Sequence, residues 1–165
     1  MKVAVIGLGI IFEMHINAIK KAGQKIVAIC DTDEEKLFSA NEKYSLNAKM
    51  YLNYVDMFNG EKIDVVHICT PHYLHEKMVV DALKRDINVI CEKPLAISNR
   101  QLKNIKKAEE NSKASLGVVF QNRYNDAVEY AKKYFKGEEI TSAYGELCWN
   151  RGKDYYGLAK WRGRK

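Results

Sequence analysis

Five short clusters along this chain carry groups with chemistry to offer. Gly7-Leu8-Gly9 presents bare backbone, and glycine amides in a tight turn can approach an anion that a Cβ would hold off. Asp31 follows 24 residues after Gly7, and a lone carboxylate at that distance from a glycine turn suits the vicinal hydroxyls of a ribose. Its competing reading is a cap for the helix that follows; with the glycine turn at the right spacing, ribose binding is the favoured one. Thr70-Pro71-His72-Tyr73-Leu74-His75 brings a hydroxyl and two imidazoles together, and Glu92-Lys93-Pro94 sets a carboxylate beside an ammonium. Arg123 is the fifth. On residue types alone Lys93 is equally a solvated loop lysine. His72, His75 and Glu76 have no zinc-protease spacing and no evident third ligand, so no metal is expected.

The elements that must position these groups follow from periodicity. Lys2–Ile6 is a β-branched run suited to a strand buried on both faces. Ile11, Met14, Ala18, Ile19 and Ala22 then recur at helical spacing up to Gly23, so the Gly7, Gly9, Ile10 and Ile11 amides fall at a helix N-terminus. The run at 25–30 is a second strand ending at Asp31, and Thr32-x-x-Glu35 reads as a capping box for the next helix. Short strands are expected at 48–51, 63–69, 87–91 and 114–120, with helical patterns between them, one opened by a second box at Ser98-x-x-Gln101. His15 and His67 lie within apolar periodicity and read as packed, hydrogen-bonded imidazoles.

Strands alternating with helices imply right-handed crossovers on a parallel sheet, whose ligands sit beyond the carboxyl ends of the strands. Every polar cluster above falls at such an end. After Arg123 the pattern changes: a helix over 127–135 closed by Gly137, then alternation over 140–150 that predicts another strand. The net charge of +6 is concentrated at the end, because residues 151–165 hold six Lys or Arg against one Asp. That is not the basic stripe of a nucleic-acid binder, and no nucleic-acid partner is expected. The longest early apolar run, 3–12, is too short to span a membrane and lacks a cleavage site. Cys30, Cys69, Cys91 and Cys148 form no C-x-x-C pair and read as reduced thiols, so a cytoplasmic location is expected.

With these motifs in place the chain resembles the Gfo/Idh/MocA oxidoreductases. Their opening G-x-G-x-x-[GA]-x-x-H occurs as Gly7-x-Gly9-x-x-Phe12-x-x-His15, with Phe12 in place of the third small residue. T-P-x-x-x-H and E-K-P are intact at 70–75 and 92–94. The resemblance implies an α/β fold: a Rossmann doubly wound parallel sheet over 1–122, followed over 123–165 by the start of a truncated α+β substrate and oligomerisation domain. It implies NAD as cofactor, and Asp31 argues against the 2′-phosphate of NADP. Asp31 and the Thr70, Pro71, His72 and His75 loop would contact NAD, and Glu92 its nicotinamide ribose. Lys93 would touch cofactor and substrate as the catalytic proton-transfer group, before a bond to Pro94 that is often cis in this family.

By the same resemblance Arg123 faces substrate. Arg151-x-x-Asp154-Tyr155-Tyr156, with Trp161 and Arg162, looks like the branch acting on nucleotide sugars such as UDP-N-acetyl-hexosamines. The partners expected are a sugar or nucleotide-sugar substrate and, for a full-length form, further copies of itself. Family members are about twice as long, and the histidine usually credited as acid–base lies in a motif beyond residue 165. Two expectations follow: the cofactor part of an NAD-dependent dehydrogenase, or an NAD-binding module without turnover. A methyltransferase using S-adenosylmethionine shares the glycine turn and the acid but leaves Glu92-Lys93-Pro94 unexplained.

Overall fold

A computed structural model describes residues 1–158, which fall into two compact units divided after Phe120. The first unit is a six-stranded sheet. Its strands are β1 (Lys2–Ile6), β2 (Lys25–Cys30), β3 (Lys49–Tyr51), β4 (Val65–Ile68), β5 (Asn88–Cys91) and β6 (Leu116–Val118). All pairs are parallel, in the order β3-β2-β1-β4-β5-β6. The order reverses between β1 and β4, where an open α/β sheet leaves its ligand crevice.

Side chains alternate between the two faces of the sheet, and one register shift in β2 brings Ile26 and Ile29, three apart, to the same face. Val3, Val5, Ile26, Ile29 and Val65 pack with helix α1 (Phe12–Lys21) and α2 (Glu34–Lys43) through Phe12, Ile16, Ile19 and Leu37. Ala4, Ile6, Cys30, Val66, Ile68 and Cys91 pack with α3 (Tyr54–Gly60), α4 (His75–Leu83) and α5 (Asn99–Glu110) through Met57, Met78, Val79, Leu83 and Ile105. Each such aliphatic side chain contributes roughly 1.5–3 kcal/mol by leaving water. Phe12 does not pry α1 from the sheet. Its ring is buried in the α1–α2 layer, with Tyr44 edge-on at 5.8 Å between centroids.

Cys30, Cys69 and Cys91 are buried free thiols, as expected; burial holds Cys30 and Cys91 protonated, each pushed up to about 12. Ser98 caps α5 as expected, accepting from the Gln101 N–H at 3.3 Å. The expected Thr32 cap is displaced by one residue. Asp33 is the N-cap of α2 and accepts from the Lys36 N–H, because Asp31 takes the Asp33 N–H at 3.1 Å and holds that residue extended.

The second unit holds a 3-10 turn at Gln121–Tyr124, α6 (Asp126–Tyr134) and α7 (Lys153–Gly157). The strand expected over 140–150 is absent from the described residues: that stretch is exposed and irregular. Alternation makes a strand only where a neighbour completes the ladder, and none pairs with it. Among the described residues no helix is long and apolar enough to cross a membrane.

Candidate functional site

The loops leaving β1, β2, β4 and β5 gather the chemistry-bearing residues of the first unit at the carboxyl edge of its sheet. Gly7 turns the chain out of β1 with φ of +90°, and a Cβ there would lie 2.8 Å from the Cys69 carbonyl carbon. Only glycine fits, since both the dihedral and the space exclude a side chain. Gly9 is different. A Cβ on it would meet nothing within 4 Å, so the room beside it is open, a cradle that an incoming group can fill.

The helix that follows, like α4, has no side-chain cap. Asp33, Asn53 and Ser98 cap α2, α3 and α5, whereas α1 starts at Ile11 with no capping side chain. Among the described residues the Gly9, Ile10 and Ile11 N–H groups have no hydrogen-bond partner. Unsatisfied amides at the positive end of a helix dipole suit an anion, and the open room at Gly9 can take a diphosphate.

Asp31 closes the far side. Its carboxylate accepts from the Leu8 N–H at 2.7 Å through Oδ2 and from Asp33 through Oδ1. The acid is thereby fixed to the glycine turn, with oxygen lone pairs still free to accept from ribose hydroxyls. The capping role is Asp33's.

Beyond β4, Thr70 and Pro71 lead into a 3-10 turn at His72–Leu74 and then α4. His75 is fully buried. Its two ring nitrogens reach the Thr70 carbonyl at 2.8 Å and the Pro94 carbonyl at 2.9 Å, tying the β4 loop to the β5 loop. It is thus a strut between two loops rather than a group facing open space. His72 is half-buried; burial, then His75, then Lys93 hold its imidazole below the usual histidine range. The Lys93–Pro94 bond is cis. Lys93 itself is exposed, and its ammonium has no ion-pair partner among the described residues.

Glu92 is buried, with one carboxylate oxygen 3.0 Å from His15 Nε2 and the other accepting from the Lys93 N–H at 3.3 Å. His15 Nδ1 lies 2.8 Å from His67 Nδ1. Sequence periodicity marks both histidines as packed and hydrogen-bonded, which they are. That they meet each other and Glu92 is a signal only the sheet supplies: parity places His67 on the α1 face beside Val65, and helical spacing places His15 one turn beyond Phe12. Burial, then His15, lowers the His67 pKa to about 4, so His67 is neutral near pH 7.

Arg123 lies in the second unit, in its 3-10 turn, and its carbonyl accepts from Lys132 at 2.8 Å. Arg151 there stacks between Trp149 and Tyr155, at 4.7 and 4.4 Å from the ring centroids. Trp161 and Arg162 lie outside the described residues.

Residues 1–120 match the oxidoreductase family with an NAD-binding Rossmann fold. The chain belongs to that family, the Gfo/Idh/MocA group, and NAD is its cofactor class. Inositol 2-dehydrogenase of Salmonella paratyphi B is 30% identical over 143 residues, 85% of this chain and 43% of the relative. The WlbA dehydrogenase from Bordetella pertussis, solved in complex with NADH and UDP-GlcNAcA, superposes with a TM-score of 0.90 at 30% identity, over 98% of this chain and 50% of its own. Myo-inositol dehydrogenase from Lactobacillus casei, in complex with NAD(H) and myo-inositol, gives 0.77 at 30% identity over 82% and 41%. The chain thus spans half, or less, of the length of these relatives.

Proposed function

We propose that this chain supplies the cofactor half of an NAD-dependent dehydrogenase acting on a hydroxyl of a sugar or nucleotide sugar. NAD when bound accepts a hydride from the carbon bearing that hydroxyl. The chain's own residues bind and aim. The Gly9–Ile11 amides and the α1 N-terminus hold the diphosphate, Asp31 takes the adenosine ribose, and Thr70, Pro71 and His72 flank the nicotinamide side. His75 holds their loop against the Glu92–Pro94 loop, Glu92 takes the nicotinamide ribose, and Lys93 receives the hydroxyl proton. Arg123, Trp161 and Arg162 are assigned to substrate. The likeness to WlbA runs beyond residue 120 and favours a nucleotide sugar over a free one.

The observation that carries the reading is the uncapped, unpaired amide cluster opening onto free space at Gly9, with Asp31 locked beside it. It is tested by thermal shift. NADH at 100 times its dissociation constant should add about 2.7 kcal/mol, and NADPH less, because Asp31 repels a 2′-phosphate. A chain whose melting is unmoved by NADH refutes the reading, and equal shifts with NADPH refute the preference.

A second reading rests on composition: residues 121–165 contain no histidine. On that reading the chain holds NAD without turnover. Steady NADH production from a UDP-sugar excludes it, and binding without production establishes it.

A further inference from the structure

The Glu92–His15–His67 chain is buried and continuous, and the cofactor reading gives no role to His15 or His67. Glu92 accepts from the Lys93 N–H, and as an acceptor at its other oxygen it needs a proton on His15 Nε2. A neutral imidazole that donates from Nε2 must accept at Nδ1. His67 then donates from its own Nδ1 across the 2.8 Å contact. For a neutral His15, the direction of every proton along the chain follows. Burial keeps His67 uncharged, consistent with its donating as a neutral ring. The three residues come from β4, α1 and the end of β5, so the contact crosses the crevice between the glycine turn and the Glu92–Pro94 loop.

We propose that His15, its tautomer set by His67, is a positioning residue that holds the Glu92 carboxylate in the orientation that receives the ribose next to the nicotinamide. This rests on the cofactor reading of Glu92. The arrangement parallels an outer partner fixing the ring of a metal-bound histidine, with a carboxylate as the group aimed. Losing a hydrogen bond to a charged group of this kind weakens binding by about tenfold.

The test compares three ligands. NADH and ADP-ribose both carry the ribose in question, and ADP lacks it. His15→Phe fills the space without a donor and should weaken NADH and ADP-ribose about tenfold while ADP changes less than twofold. His15→Gln, which keeps an N–H, should recover most of the loss. His67→Val leaves the His15 tautomer unset and should cost about threefold on the same two ligands; it serves equally if His15→Phe does not fold. Long-range ¹H–¹⁵N spectra of the unaltered chain should show Nε2–H on His15 and Nδ1–H on His67. Equal losses for ADP and NADH would mean that α1 has merely shifted, and would overturn the proposal, as would reversed tautomers. Unchanged NADH affinity in His15→Phe, with the unaltered chain binding normally, overturns this inference alone. An unaltered chain that binds no NADH overturns the cofactor reading and this one with it.

Discussion

Gly7 and Gly137 have nearly the same φ, +90° and +89°, in opposite surroundings. Around Gly7 the Cys69 and Thr70 backbone leaves no room for a methyl group, whereas Gly137 has nothing within 4 Å. The contrast extends to the units they belong to. Val5, Ile16, Ile29 and Val79 are fully shielded in the first, while no described residue of the second is buried. Helix α6 carries an apolar stripe by sequence, yet Tyr130 and Tyr134 are 69% and 68% exposed. Periodicity therefore makes a helix, and only a facing surface makes a core.

Hydrogen exchange should break or sharpen this comparison most visibly. Amides of β1 and β4 should open only with global unfolding, at about 5 kcal/mol or more, while those of 138–150 should exchange near the unpaired rate. Slow exchange across 140–150 that is independent of concentration would show that the stretch is sheltered within its own chain.

Next in size is the pair of glycines. Gly7→Ala adds left-handed strain to a steric clash and should cost about 4 kcal/mol, lowering the main melting transition by 10 °C or more. Gly137→Ala should leave that transition within about 1 °C. Equal shifts would mean that the two units melt as one.

The pH profile comes third. His67 binds its proton near pH 4 when folded and near 6.5 when unfolded, so between those values the unfolded chain holds more protons. Stability should therefore be full above pH 6.5 and fall by about 3 kcal/mol on acidification to pH 4, with no further loss from this group below that. Urea midpoints across the range measure it, and His67→Val should flatten the slope. The effect belongs to the first unit, and a helicity signal from α6 should not follow it.

The smallest contrast is between two caps. Ser98→Ala should cost about 1 kcal/mol of core stability. Asn125, which accepts from the Ala127 N–H at 3.0 Å, caps a helix outside that core. Asn125→Ala should reduce helicity while leaving the main transition in place, and a matching loss of core stability would join α6 to the first unit energetically.

Much of the first unit is legible in the residue string because its signals are local. Lys2–Ile6, Gly7 and the α1 periodicity specify strand, turn and helix within twenty residues, and repeating that unit leaves few topologies. The sheet then collects Gly9, Asp31, Thr70 and Glu92 at one edge, as strand ends must. Composition and spacing also marked Cys30, Cys69 and Cys91 as core thiols. What the string does not carry is any fact that depends on which elements become neighbours. The helix cap at Asp33 instead of Thr32 follows from the Asp31 carboxylate turning back on the Asp33 and Leu8 amides. Phe12 fits because Tyr44, 32 positions away, turns its edge to it. The 140–150 alternation has the right period but, among the described residues, no partner strand, and it is irregular. His15, His67 and Glu92 sit on three separate elements, and only strand register and helix facing bring their nitrogens and oxygens within 3.0 Å. Local chemistry sets the elements; proximity across the sheet decides which side chains share a proton.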